Sequence, residues 1–308
     1  MDPRQEIIPR ILDSNLEKVL EEFGTGIDQL VNFGSNIIAW DMEKKDGGDE
    51  DLPPILFLRN FIEEIDAISI LVRKSSIDSC NNLLRTALEN FFSVCYIIEK
   101  DSEQRSMAFL VCNALNHRKN LEKADGKSEE FKRITKIYKK DKLVGKTNPI
   151  IIPNANDHLK NNQELLELPK YKPVKDEYDR TKQKLKRKPA WYSLFEGPTN
   201  LEILADKLGY PAIYEILYRG WSNSVHGADI IQGKISGTVD NRAEIFQIRL
   251  PKSAQSVTQQ CFNLSIMLYK EYLQKRIPDR VKDFGDWYLT IREFNLSLSK
   301  KQLINVEE

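Results

Sequence analysis

Apolar residues recur at steps of three and four along most of the chain, the spacing that lines one face of an α-helix. Over residues 7–40 the stripe is Ile11, Leu16, Val19, Leu20, Phe23, Ile27, Leu30, Val31, Phe33 and Ile37. A charged run containing Gly47 and Gly48 then reads as a loop. Pro53-Pro54 opens a second helix carrying Ile55, Leu58, Phe61, Ile62, Ile65, Ile68 and Leu71; proline costs nothing in a first turn, where its missing N–H would be unpaired anyway. A third helix, capped by Ser76 or Asp78 and running to about Glu99, is apolar nearly all round, the mark of a central helix with neighbours on several sides. Arg85 and Glu89 interrupt it one turn apart. A fourth helix covers residues 102–123.

Over residues 126–188 large apolar side chains thin out and Lys, Asn and Asp take over. Residues 129–142 read as helix and 144–156, with two prolines and Ile150-Ile151-Ile152, do not. Residues 170–188 are densely basic, and the whole segment reads as an inserted arm, partly helical and mobile. Asn200 caps a helix that Gly209 closes, and Pro211 opens another that Gly227 ends. Gly233, Gly237 and Asp240-Asn241 alternating with Ile235, Val239, Ile245, Phe246 and Ile248 point to a minor β-hairpin or an extended loop. A long helix over residues 253–275 and a short docked helix with Phe284, Trp287 and Ile291 complete the chain. The expected fold class is all-α: a multi-helix bundle with a basic arm. One globular unit is expected, built from a first half (1–125), an insertion (126–188) and a second half (189–308).

The totals constrain this picture only loosely. The 308 residues carry 46 Lys plus Arg and 46 Asp plus Glu, a net charge of zero that argues against a surface built throughout for nucleic acid while leaving local patches open. Cys80, Cys95, Cys112 and Cys261 form no CxxC pair and read as buried thiols. No apolar run follows the charged start Met1-Asp2-Pro3-Arg4, and none approaches the roughly 20 residues of a membrane span. A cytoplasmic protein without membrane contact is expected. No glycine-rich phosphate loop is present, and His117 and His158 stand alone without metal-ligand spacing, so no metal or cofactor is expected.

Candidate chemistry concentrates in the helix that begins at Pro211. Glu215, Arg219, Ser222 and His226 follow one another at steps of four, three and four and share one face. Arg219 and His226 are about 10.5 Å apart along an ideal axis, close enough to converge on one phosphate. An imidazole suits proton transfer near neutral pH, and a guanidinium suits charge gathering on phosphorane oxygens. Ser222 or Asn223 could hold the imidazole or a phosphate oxygen. The same spacing also describes a histidine favoured by the helix C-terminal dipole beside an ordinary Glu215–Arg219 pair. Arg85 must be paired on so apolar a helix, either by Glu89 alone or with both bracing the Arg219 face. In the arm, Lys182, Lys184, Lys186, Arg187 and Lys188, with Tyr171 and Tyr178 near them, could follow a phosphate backbone and stack bases, or could be a solvated, salt-bridged helix face.

The runs Asp66–Asp78 and Leu83–Glu89, with the helix Tyr214–Gly227, together resemble a bacterial helical family of unknown function marked by an R-x-x-x-E helix and an S-x-x-x-H-G helix end. The matching residues are Arg85 with Glu89, and Ser222 with His226 and Gly227. More distantly, Arg219 to His226 resembles the R-x(4–6)-H signature of HEPN ribonucleases, all-helical and usually dimeric enzymes of toxin and antiphage-defence systems. Gly220 stands here where those enzymes often carry a polar residue. That resemblance implies a HEPN-like bundle, a metal-independent endoribonuclease and an RNA substrate. Arg219 and His226 would be the catalytic pair, with Ser222, Asn223, Arg85 and Glu89 as accessory residues. A homodimer and a partner protein from such a system would follow. The alternatives are a non-catalytic helical module that binds a ligand or partner, and nucleic-acid binding through the arm.

Overall fold

The computed structural model describes residues 12–43, 48–221, 235–236 and 244–300. Its architecture is all-α, and the chain divides into two compact units: residues 1–100 with 201–308, and residues 101–200.

The first unit is built on α1 (Ser14–Met42), α2 (Leu52–Arg73) and α3 (Ile77–Glu99). The first helix is described from Ser14, and residues 7–11 of its expected stripe lie outside the described residues. The Asp13 carboxylate accepts from the Asn15 and Leu16 N–H groups at 2.8 and 3.3 Å, satisfying donors that the first turn leaves unpaired. Leu20, Phe23, Ile27 and Leu30 of α1, Leu58, Phe61 and Ile65 of α2, and Leu84, Leu88 and Phe91 of α3 are buried together, and α3 is buried on nearly every side as its composition predicts. Gly34 permits the close approach of α1 to its neighbours: a Cβ there would lie 2.4 Å from the Tyr269 hydroxyl and 2.7 Å from Ile62 Cδ1. One polar network ties α1 to α2. Arg73 reaches from α2 to Asp28 (2.5 Å) and Glu21 (2.8 Å) on α1, while the Ser69 hydroxyl donates to Asp28 at 2.6 Å. These pairs hold Asp28 below the usual carboxylate range despite the opposing effect of burial.

Later in the chain come the short α8 (Leu201–Lys207), the single turn α9 (Pro211–Ile213), α10 (Ala254–Arg276) and α11 (Val281–Lys300). The last is a full helix of 20 residues rather than a short docked piece. Its Trp287 stacks on Phe33 of α1 with centroids 4.1 Å apart, and Ile291 and Leu298 are buried. Between α9 and α10, Ile235–Ser236 pairs antiparallel with Glu244–Ile245; the chain between these two strands lies outside the described residues.

The second unit contains α4 (Ser102–Ala124), α5 (Glu129–Tyr138), α6 (Ala155–Glu167) and α7 (Lys172–Leu185). Its core gathers Met107, Val111, Leu166, Tyr171, Val174, Tyr178 and Leu194. The basic segment is therefore not a loose arm: α7 turns Val174, Tyr178 and Thr181 inward at helical spacing. Sequence patterning missed α6, whose 13 residues are mostly polar and bury only Ala155 and Leu166. Glu177 anchors α7 to the turn before α8, accepting from Arg180 (2.6 Å), from the Thr181 hydroxyl (2.8 Å) and from the Phe195 N–H (2.9 Å). Its carboxyl is held down at about 2, chiefly by the Arg180 bond and against the effect of burial.

Candidate functional site

Gly209 begins the construction. It takes the left-handed backbone (φ 82°) that closes α8, with Tyr210 N–H donating to Ala205 O at 2.8 Å. The turn sets the Tyr210 ring edge-on to Phe91 of α3, centroids 5.2 Å apart. Pro211 then starts the next helix as its position predicts. That helix does not continue as a plain α-helix. Tyr214–Tyr218 forms a π-helical turn, closed by the Arg219 N–H donating to Tyr214 O. A turn of this kind spaces residues more widely than 3.6 per turn and occurs often where a side chain must be re-aimed. Here it stacks Tyr214 on Tyr218 at 5.0 Å and brings the Tyr218 hydroxyl to α3. The segment is less buried than its composition implies; Ile216 is 70% exposed.

Arg85 and Glu89 meet this turn through Tyr218. Arg85 Nη2 donates to the Tyr218 hydroxyl at 2.6 Å, and that hydroxyl donates to Glu89 Oε1 at 2.7 Å. The direct Arg85–Glu89 separation is longer, 3.7 Å, so the phenol completes a pair that the helix alone makes poorly. The guanidinium also lies 4.5 Å from the Tyr218 ring centroid, a cation–π contact. Burial and the bond to Glu89 push the phenol up to about 12, so it stays protonated at neutral pH and serves as a donor to Glu89. Arg85 Nε is buried and has no hydrogen-bond partner. Tyr218 was not singled out from the sequence. Its signal was there, since a tyrosine inside an apolar run needs a partner for its hydroxyl, but nothing in the spacing said which one. Tyr218→Phe is expected to lower stability by about 1–2 kcal/mol, because it leaves Arg85 and Glu89 without their shared bridge. Urea unfolding measures this, and an unchanged midpoint would mean that the bridge contributes nothing.

Arg219 sits one residue beyond, with half of its side chain exposed. It pairs with Glu215 at 2.9 Å and with Glu202 of α8 at 3.1 Å, and lies 5.7 Å from the Tyr214 ring centroid. The expected Glu215–Arg219 neighbourhood on one face thus forms, with a second carboxylate that sequence spacing could not reveal. Exposed pairs of this kind are worth about 0–1 kcal/mol each, so Arg219 can leave them for a phosphate at modest cost. Ser222, Asn223 and His226 lie outside the described residues.

In the second unit, Lys182, Lys186, Arg187 and Lys188 line an open cavity of about 470 Å³ at the end of α7, together with Asp179 and Gln183. Asp179 is already paired with Lys175 at 3.5 Å, and Arg187 donates to Thr199 O at 2.7 Å. Lys184 points elsewhere, to Glu196 at 2.6 Å. The tyrosines expected to stack bases do not flank this cavity. Tyr171, the residue before α7, and Tyr178 within it both belong to the core with Met107 and Val111 of α4 and Leu166 of α6.

The four cysteines are buried, and burial pushes the Cys80 and Cys112 thiols up to about 12, far from a nucleophilic thiolate. Among the described residues no three His, Cys, Asp or Glu side chains gather as metal ligands, and no helix is long and apolar enough to cross a membrane.

A family model matches residues 51–236, well over half of the chain and spanning both Arg85/Glu89 and the π turn. The chain belongs to DUF5677, a family of unknown function. No curated protein and no solved structure matches it. The match takes in α2 to α9, so the second unit is part of what defines this family.

Proposed function

We propose that this DUF5677 protein is a HEPN-like, metal-independent endoribonuclease acting through Arg219 and His226, and that it serves as a defence or toxin effector. In this reading His226 takes the proton from a ribose 2′-OH. The 2′ oxygen then attacks phosphorus, the bond to the 5′ oxygen breaks, and that oxygen leaves with the proton returned from the His226 imidazolium. Arg219 offsets the charge on the phosphorane oxygens. Arg85, Tyr218 and Glu89 brace the turn that leads to Arg219, and Ser222 or Asn223 orients the imidazole or a phosphate oxygen. Two copies facing one another would present two arginines to one phosphate.

The observation that carries the reading is the placement of Arg219. It is solvent-reachable, at the end of a π turn fastened to α3 by the Arg85–Tyr218–Glu89 bridge, and its ion-pair partners among the described residues are the exposed Glu202 and Glu215. Purified protein incubated with single-stranded RNA and chelator tests it, cleavage being the expected result. Absence of cleavage at any protein concentration would remove the enzyme reading.

The α7 cavity favours a second reading, nucleic-acid binding without catalysis. Four cations converge there against one carboxylate that is already paired. Exchanging Lys186 and Arg187 for Glu is expected to weaken RNA binding about 10-fold or more and to flatten its dependence on salt, because fewer counterions are released. Binding titrations at several salt concentrations check this. An unaltered salt slope would place the RNA elsewhere.

A further inference from the structure

The chain between α5 and α6 has no part in either reading, yet it is the most unusual surface among the described residues. Leu143 is 90% exposed, Ile150 79% and Ile151 59%, with Ile137 at the end of α5 also exposed. Large aliphatic side chains this bare carry a hydration cost that nothing in the fold offsets. They are held there by a built turn. The Asp141 carboxylate accepts from the Leu143 N–H at 2.8 Å and the Val144 N–H at 3.0 Å, and the Thr147 hydroxyl donates to Val144 O at 2.8 Å. Gly145 is required at its position, since a Cβ there would lie 2.4 Å from Asp141 O. The result is a turn whose backbone bonds hold Leu143 out toward solvent.

Exposed lysines are interspersed with these side chains along the chain. Lys136, Lys139, Lys140, Lys142 and Lys146 fall within residues 136–151, where Asp141 is the sole acid. We infer that this turn is a peripheral anchor for an anionic lipid bilayer. Leu143 and Ile150 enter the boundary between headgroups and acyl chains, and the lysines contact the phosphates. Three features select this occupant. Lysines and aliphatics follow one another at steps of one to four, which leaves no continuous dry patch for a protein partner but suits a lipid interface, where long lysine stems lie along the apolar layer and keep their charge in the headgroups. RNA would use the lysines and leave the aliphatics in water. A second copy would bring five more lysines against the first five.

A single apolar insertion binds membranes weakly, and a polybasic segment supplies the second contribution, roughly five-fold in affinity per lysine. The test is flotation of the full-length protein with vesicles of phosphatidylcholine alone and of equal parts phosphatidylcholine and phosphatidylglycerol. The protein should float with the anionic vesicles only. Leu143→Asp should lower the bound fraction at least 10-fold, and Lys140→Glu with Lys142→Glu should abolish flotation. Circular dichroism melts of these exposed-residue variants should match the parent. No flotation with anionic vesicles overturns the proposal. So does flotation that survives Leu143→Asp, which would mean charge attraction alone, and so does a gain in RNA or acidic-protein binding that depends on Leu143 while lipid binding is absent.

Discussion

Alanine at His226 is expected to slow metal-independent RNA cleavage by about 10²–10⁴-fold, the range that a positioned acid–base group contributes. Alanine at Arg219 should cost about 10²–10³-fold, as loss of a donor to a developing oxyanion does. The two should not add, because a base without its phosphate clamp, or a clamp without its base, already loses the transition state. Initial rates on a short fluorescent RNA, with chelator present and with matched melting curves, provide the measurement. Arg219→Lys makes the result more specific. It keeps the charge but loses the planar fork that can span two phosphate oxygens, so activity should stay well below the parent. Full activity in His226→Ala would remove the assigned base, and an inert Arg219 would return that residue to its ion pairs with Glu202 and Glu215.

Arg276→Met is expected to destabilise the first unit by about 3–5 kcal/mol, the usual result of leaving a buried charge without its partner. Arg276 is 10% exposed and the Asp41 side chain 0%. The guanidinium meets Asp41 at 2.7 Å and Asp51 at 3.1 Å, and the Tyr272 hydroxyl donates to the same Asp41 oxygen at 2.5 Å. One cluster thus joins the end of α1, the entrance to α2 and the last turns of α10. Burial pushes the Tyr272 phenol well above its ordinary range, with Asp41 adding to the effect, so it remains a donor. With Arg276 gone, the Asp41 carboxylate keeps the phenol but loses its counter-charge in a site water does not reach. Urea denaturation should show a lower midpoint at an unchanged slope. Asp41→Asn combined with Arg276→Met should recover part of the loss, since the charge left behind is then removed. A single variant as stable as the parent would mean that the cluster is solvated in solution.

The long helices were readable in the chain because each buries one stripe, and burial imposes a period of 3.6 whatever its neighbours are. Three helices in the first unit and α4 in the second follow their stripes closely. Gly209 and Pro211 also act as their chemistry requires, one turning left-handed and the other starting a helix. Reading failed where the stripe is thin. The polar α6 has too few apolar residues to reveal itself, and the lysines of α7 masked the inward line of Val174, Tyr178 and Thr181. The candidate site was half legible. Arg85, Glu89, Glu215 and Arg219 stand out as charges on apolar helices, but Tyr218 and Glu202 do not, because their partners lie 129–133 and 17 positions away.

Taken alone, the order of residues settled that this chain is helical, where most helices begin and end, and which charged side chains are anomalous. All of these depend on contacts within a few turns. Tertiary structure alone decided that a π turn re-aims Tyr218 between Arg85 and Glu89, that Arg219 stands in solvent between two carboxylates, and that the basic segment forms one wall of a second core. Each of those outcomes is a choice among partners distant in the chain, and local periodicity carries no record of which partner is chosen.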